Sequence, residues 1–127
     1  MGINEENTGK DVYDNSLSFL GKKISGLFTI PSGIITTDPA VIERIAREIP
    51  EIGVLTLKSV GPVSREGHRE PIMTQYAPSC FMNAVGLTNP GVDGMVEKLK
   101  DISLPEDKFL LISIFGGPIE EFVDIAM

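Results

Sequence analysis

The chain predicts an α/β fold built from β/α units, and three observations carry that prediction. Short apolar runs at 27–30, 54–57 and 109–115 alternate with segments whose apolar residues recur at helical spacing. That alternation builds parallel sheets with crossover helices. The run Phe109-Leu110-Leu111-Ile112-Ser113-Ile114-Phe115 is the most continuous in the chain. Such a run predicts a strand covered on both faces, as parallel sheets are. Finally, some thirty residues separate the apolar run at 54–57 from the next helical pattern. Connections in such units usually take about 2–6 residues, and those beyond about 15 are functional or disordered. This one keeps Ile72, Met73, Tyr76, Phe81, Met82, Val85 and Leu87, apolar surface enough to pack down. A long structured connection at the C-terminal end of a buried strand is where α/β proteins hold ligands. It reads as half of an active site.

The elements follow in order. Residues 17–31 read as short β segments, with a hairpin turn at Gly21-Lys22-Lys23 and a first core strand at 27–30. Pro31-Ser32-Gly33 ends that strand, Pro by withholding a ladder donor and Gly by letting a ligand approach the backbone. Thr37 or Asp38 caps the next helix and Pro39 suits its first position. Val41, Ile42, Ile45, Ala46 and Ile49 form one apolar stripe along it. Pro50 and Gly53 stop it, and the strand Val54-Leu55-Thr56-Leu57 leads to a lone cation at Lys58. After the long connection Asn89 caps, Pro90 opens, and Val92, Met95, Val96 and Leu99 repeat the stripe. A polar link at 101–107 precedes the strand at 109–115. Gly116-Gly117-Pro118 then turns into a helix with Glu120 and Glu121 in its first turn, where acids suit the dipole. That helix shows no terminal cap, so the expectation is a fragment of a longer β/α domain, or a chain completed by another.

Composition narrows the function. A length of 127 residues with 42% hydrophobic content suits one globular domain. The net charge of −7 argues against a nucleic-acid surface, which needs clustered cations. No apolar run approaches the roughly 20 residues of a membrane helix. Residues 1–15 are polar and read as a flexible arm, leaving 16–127 as the folded domain. A single cysteine fits a reducing compartment, so the expected location is cytoplasmic.

Several motifs, in order, resemble the class 1 dihydroorotate dehydrogenases. Pro31-Ser32-Gly33, Leu57-Lys58-Ser59, Arg65-Glu66-Gly67 with Pro71, and above all Asn83-Ala84-Val85-Gly86-Leu87-Thr88-Asn89-Pro90-Gly91 carry the likeness, over roughly residues 17–127. The resemblance implies the N-terminal part, about three β/α units, of a TIM (β/α)8 barrel, with a short β-hairpin before it. It implies FMN as cofactor and oxidation of dihydroorotate to orotate in pyrimidine biosynthesis. Ser32, Gly33, Lys58 and Ser59 would contact FMN. Lys58 with Asn83, Val85, Gly86 and Leu87 would hold the substrate ring and its carboxylate. A lysine there can offset the charge of a reduced flavin and of a carboxylate. An asparagine offers a donor and an acceptor to a pyrimidine edge. The sequence departs from the family at Pro31 (usually Ala), Leu57 (Thr), His68 (Asn) and Ile72 (Arg). The proton acceptor and phosphate loops lie downstream in the family. No catalytic residue is therefore expected in this chain, which alone should neither bind FMN tightly nor turn over. The implied partners are a homo-oligomer and, where NAD is the acceptor, an electron-transfer subunit.

Other candidates read more plainly. His68 reads as an exposed loop residue, not a metal ligand, and no metal site is expected. Cys80 reads as a small hydrophobe, not a nucleophile. Met73 and Met82 read as packing, and Arg65 with Glu66 as a solvated pair. Two alternative functions stand beside the dehydrogenase: a non-catalytic half-barrel that assembles with itself or another chain, and a related FMN-dependent pyrimidine dehydrogenase.

Overall fold

The computed structural model describes residues 17–127, so the arm expected at 1–15 lies outside the described residues. Its centre is a parallel sheet of β3 (Phe28–Ile30), β4 (Ile52–Val60) and β7 (Phe109–Ile114), with β4 in the middle. The expected mixed α/β class with a parallel sheet is present. Helix α1 (Pro39–Glu48) crosses from β3 to β4, and α2 (Gly91–Leu99) precedes β7. A third helix, α3 (Ile119–Ala126), follows it.

Local chemistry explains α1 well. The Asp38 carboxylate accepts the Ala40 N–H at 3.0 Å, and Pro39 opens the helix. Ile42 and Ala46 are buried from the predicted stripe, while Val41 and Ile49 lie at its exposed margins. They meet Ile52, Leu55, Leu57 and Val60 of β4, with Met95 from α2, to form the core. Burying such side chains is worth about 1.5–3 kcal/mol each.

Five expectations change in detail. The hairpin of β1 (Leu17–Phe19) and β2 (Lys22–Ile24) turns at Leu20-Gly21, not at Gly21-Lys22-Lys23. Both turn residues have positive φ, 49° and 79°, the geometry that matches strand twist in a two-residue loop. Strand β4 is longer than 54–57 and carries Lys58 and Ser59 within it. The connection after it contains a hairpin, β5 (Met73–Ala77) with β6 (Cys80–Asn83), turning at Pro78-Ser79. Its Met73, Tyr76, Phe81 and Met82 stay more than half exposed, so they do not form the packing expected of them. Strand β7 is likewise half-buried, with Ile112 47% exposed, because it lies at the edge of the described sheet and α3 buries none of its residues.

The N-terminal end of the sheet is closed by the β1–β2 hairpin. Phe19 meets Phe109 edge to face at 5.0 Å, and Lys22 Nζ donates to the Lys108 carbonyl at 2.9 Å. Lys108 itself is buried, a feature the sequence reading missed. Its ammonium donates to Ser25 Oγ and to the carbonyls of Ile49, Pro50 and Ile52 at 2.7–3.2 Å. Cations suit a helix C-terminus, and here one ties the end of α1 to the start of β4.

Candidate active site at the C-terminal end of the sheet

The opposite end of the sheet is built around a bulge. Leu57 pairs with Ile112 and Val60 with Ile114, so Lys58 and Ser59 together face Ser113. The extra residue breaks the alternation of Leu55 and Leu57 and lets Val60 return to the core. Bulges of this kind re-aim side chains beside functional sites. Ser59 Oγ shares a hydrogen bond with Ser113 Oγ at 2.7 Å and another with Ser32 Oγ at 3.2 Å. Three strand ends are thus joined by one row of hydroxyls.

Beside that row lies a cleft of about 550 Å³, lined by Gly33, Lys58, Met73, Asn83, Ala84, Val85, Gly86 and Leu87. Its size is that of a small-molecule site, largely apolar with few polar groups. Gly33, Lys58, Asn83, Val85, Gly86 and Leu87, singled out from sequence, therefore share one cavity. Ser32 and Ser59 sit in the hydroxyl row rather than in the lining. Among the described residues, neither the half-buried Lys58 ammonium nor the Asn83 side chain has a hydrogen-bond or ion-pair partner. A cation placed in an apolar cleft without a counter-charge is set to receive an anion.

The walls are held from behind. Thr36, fully buried, donates its hydroxyl to the Gly33 carbonyl and accepts the Gly33 N–H, both at 3.1 Å. Asn89, also buried, accepts the N–H groups of Gly61 at 3.2 Å and Gly91 at 2.9 Å and donates to the Leu87 carbonyl at 2.8 Å. The cap expected of Asn89 is not made: Pro90 holds the N-cap position, with no side-chain cap bond, and Gly91 opens α2, so Asn89 acts from just outside the helix. Arg65 and Asn89 exchange backbone hydrogen bonds at 2.8 and 3.1 Å, folding the long connection onto itself. Arg65 does not pair with Glu66; its guanidinium lies over the Phe115 ring at 5.3 Å. A half-buried aromatic face next to a backbone bridge competes with a solvent-exposed carboxylate.

His68 is exposed, and Cys80 is a free half-buried thiol in β6. Among the described residues no cluster of His, Cys, Asp or Glu could hold a metal, and no helix is long and apolar enough to cross a membrane. The sequence reading missed Thr36, Met73 and Ser113 as parts of the site. Ser113 alone carried a signal, being the one polar residue in an otherwise apolar run.

Known proteins are similar to this chain over most of its length. A family model described as dihydroorotate dehydrogenase matches residues 15–127. The catalytic subunit of dihydroorotate dehydrogenase B (NAD(+)) from Methanosarcina mazei is 35% identical over 107 residues, 84% of this chain and 33% of that protein. The same subunit from Pyrococcus abyssi is 31% identical over 113 residues, 87% of this chain and 35% of that protein. That from Thermococcus kodakarensis is 36% identical over 111 residues, again 87% and 35%. The chain thus spans about a third of the length of the curated relatives it matches. With the family match running across all of the described fold, cleft and hydroxyl row included, this chain belongs to the dihydroorotate dehydrogenase family.

Proposed function

We propose that the chain supplies part of the flavin and substrate site of an oxidoreductase that converts dihydroorotate to orotate with FMN, in pyrimidine biosynthesis. The observation that carries this reading is Lys58: a half-buried cation without a partner among the described residues, sharing an apolar cleft with Asn83. The residues fit the ring portion of such a cofactor. Gly33 leaves the wall flat, and the hydroxyls of Ser32, Ser59 and Ser113 line the adjoining strand ends. Bound FMN would supply the two-electron acceptor. In this reading Lys58 holds the substrate carboxylate and offsets negative charge in the cleft. Asn83 reads the donor and acceptor pattern of the ring edge, and Val85, Gly86 and Leu87 close over its face. The cleft lining contains no carboxylate, imidazole or thiol, so the proton acceptor is proposed to lie outside this chain. The fold is correspondingly proposed to be the first part of a (β/α)8 barrel in a cytoplasmic enzyme. Its homo-oligomer would pass electrons to an electron-transfer subunit, since the relatives are named as catalytic subunits of an NAD-linked enzyme.

The test is dihydroorotate added without oxygen to the intact polypeptide carrying its flavin. Bleaching of the flavin absorbance by dihydroorotate, and not by dihydrouracil, supports the reading. Bleaching by dihydrouracil instead would favour a related pyrimidine dehydrogenase.

A second reading has its own observation. Val60, Val92, Met95, Val96, Leu99, Ile112 and Ile114 form an open apolar groove with Ile125 and Ala126 of α3. A non-catalytic half-barrel that assembles with itself or another chain would cover it. Sedimentation showing a concentration-independent monomer without flavin counts against that reading.

A further inference from the structure

The substrate-facing loop 83–88 is strained, and side chains outside the cleft hold it. Gly86 has φ +81°, and Leu87, which has a Cβ, has φ +56°. A non-glycine residue in this region costs about 1–2 kcal/mol and persists only where its surroundings fix it. Asn89 holds the Leu87 carbonyl and Thr88 Oγ1 bonds the Val85 carbonyl, while His68 holds the loop from its other side. The His68 backbone N–H donates to the Val85 carbonyl at 3.2 Å, and its Nδ1 lies 2.8 Å from the Ala84 carbonyl oxygen. A carbonyl can only accept, so His68 Nδ1 carries the proton and donates. Two successive carbonyls of the loop are therefore taken by one residue. His68 also packs so tightly that a Cβ at Gly86 would lie 2.9 Å from its N and 3.0 Å from its Nδ1.

We infer that His68 is a positioning residue, which latches the loop 83–87 in its ring-binding shape by donating Nδ1–H to the Ala84 carbonyl. This rests on the reading of the cleft as the substrate site. His68 does not line the cleft, so it acts through the loop and not on the ligand. An asparagine or glutamine could replace it, since a side-chain amide also presents an N–H. Phenylalanine could not, although it keeps a ring.

The test uses the intact polypeptide and orotate as the probe. His68→Ala and His68→Phe should each weaken orotate binding, and raise KM for dihydroorotate, about five- to tenfold, the loss of one hydrogen bond. The turnover number and the urea midpoint should move little. His68→Asn should return affinity to within about twofold of wild type, because it restores the donor. In parallel, nitrogen NMR of 15N-histidine protein, with His68 assigned by its loss in His68→Gln, should show Nδ1 protonated and Nε2 bare in the neutral imidazole. A predominant Nε2–H tautomer overturns the latch directly. Wild-type affinity in both His68→Ala and His68→Phe overturns the positioning role while leaving the substrate reading standing. A wild type that fails to bind orotate overturns both.

Discussion

Lys108 and Lys58 sit near opposite ends of the same pair of strands, and the fold treats them in opposite ways. Lys108 precedes β7 at the N-terminal end, is 3% exposed, and spreads its three N–H groups over four oxygen acceptors. Lys58 lies in the β4 bulge near the C-terminal end, half-buried, and has no partner among the described residues. A buried cation whose donors are all used serves structure, since removing it strips a donor from each of its acceptors. A partly desolvated cation left without acceptors costs stability, and keeping one is worthwhile only where a ligand supplies the counter-charge. Parallel sheets hold ligands at the C-terminal ends of their strands, and the two lysines divide along that axis.

The largest effect should come from Lys58→Ala. In the intact enzyme, dihydroorotate turnover should fall about 10²- to 10³-fold, the scale of losing one charge-stabilising group. The urea midpoint should hold or rise slightly, because the cation contributes no contact in the unliganded fold. Near-normal turnover would remove Lys58 from the chemistry and the contrast with it. Lys108→Met should do the reverse. It takes one donor from each of the carbonyls of Ile49, Pro50 and Ile52, although Ile49 keeps the Ile52 N–H and Pro50 keeps Ser25 Oγ, and should destabilise by about 1–3 kcal/mol, read from the urea midpoint. Orotate affinity of the folded protein should stay within about twofold, since the change lies at the far end of the sheet.

What was legible in the sequence follows from the range of the interactions involved. Helix α1 was legible because Asp38, Pro39 and the stripe of Ile42, Ile45 and Ala46 act within one or two turns. The shared cleft of Lys58 with Asn83, Val85, Gly86 and Leu87 was legible through motif order, though their binding role stays a proposal. The β4 bulge was not, because it exists only in register with β7, more than fifty residues away. Lys108 was read as part of no feature, since its acceptors lie 56 to 83 residues back along the chain. The β5–β6 hairpin was missed for a different reason. Met73–Ala77 and Cys80–Asn83 lack clean alternation, and apolar residues appear on both of their exposed faces. Apolar content was taken as evidence of packing within the chain, and the exposure of Tyr76 and Phe81 shows that inference to be too strong.

The smallest effect sharpens the comparison on its structural side. Glu43 on α1 accepts from Arg47 Nη2 at 2.9 Å and Nε at 3.1 Å, and from the Ser103 N–H at 3.4 Å. Arg47 also donates to the Ser103 carbonyl at 2.7 Å, so the pair ties α1 to the link between α2 and β7. The Arg47 hydrogen bonds, then that of Ser103, hold the Glu43 carboxyl below its usual range. A carboxyl whose folded pKa is lowered binds fewer protons in the native state than in the unfolded one. Its contribution is therefore complete above the unfolded value of about 4.3 and is lost as pH falls through the lowered folded value. Glu43→Gln should be slightly less stable than wild type at neutral pH, with the gap narrowing as pH drops below that unfolded value. Urea midpoints across an acid series measure it, and added salt should shrink the neutral-pH gap, as expected of an exposed pair. A gap that persisted unchanged into acid would mean that Glu43 acts through packing alone.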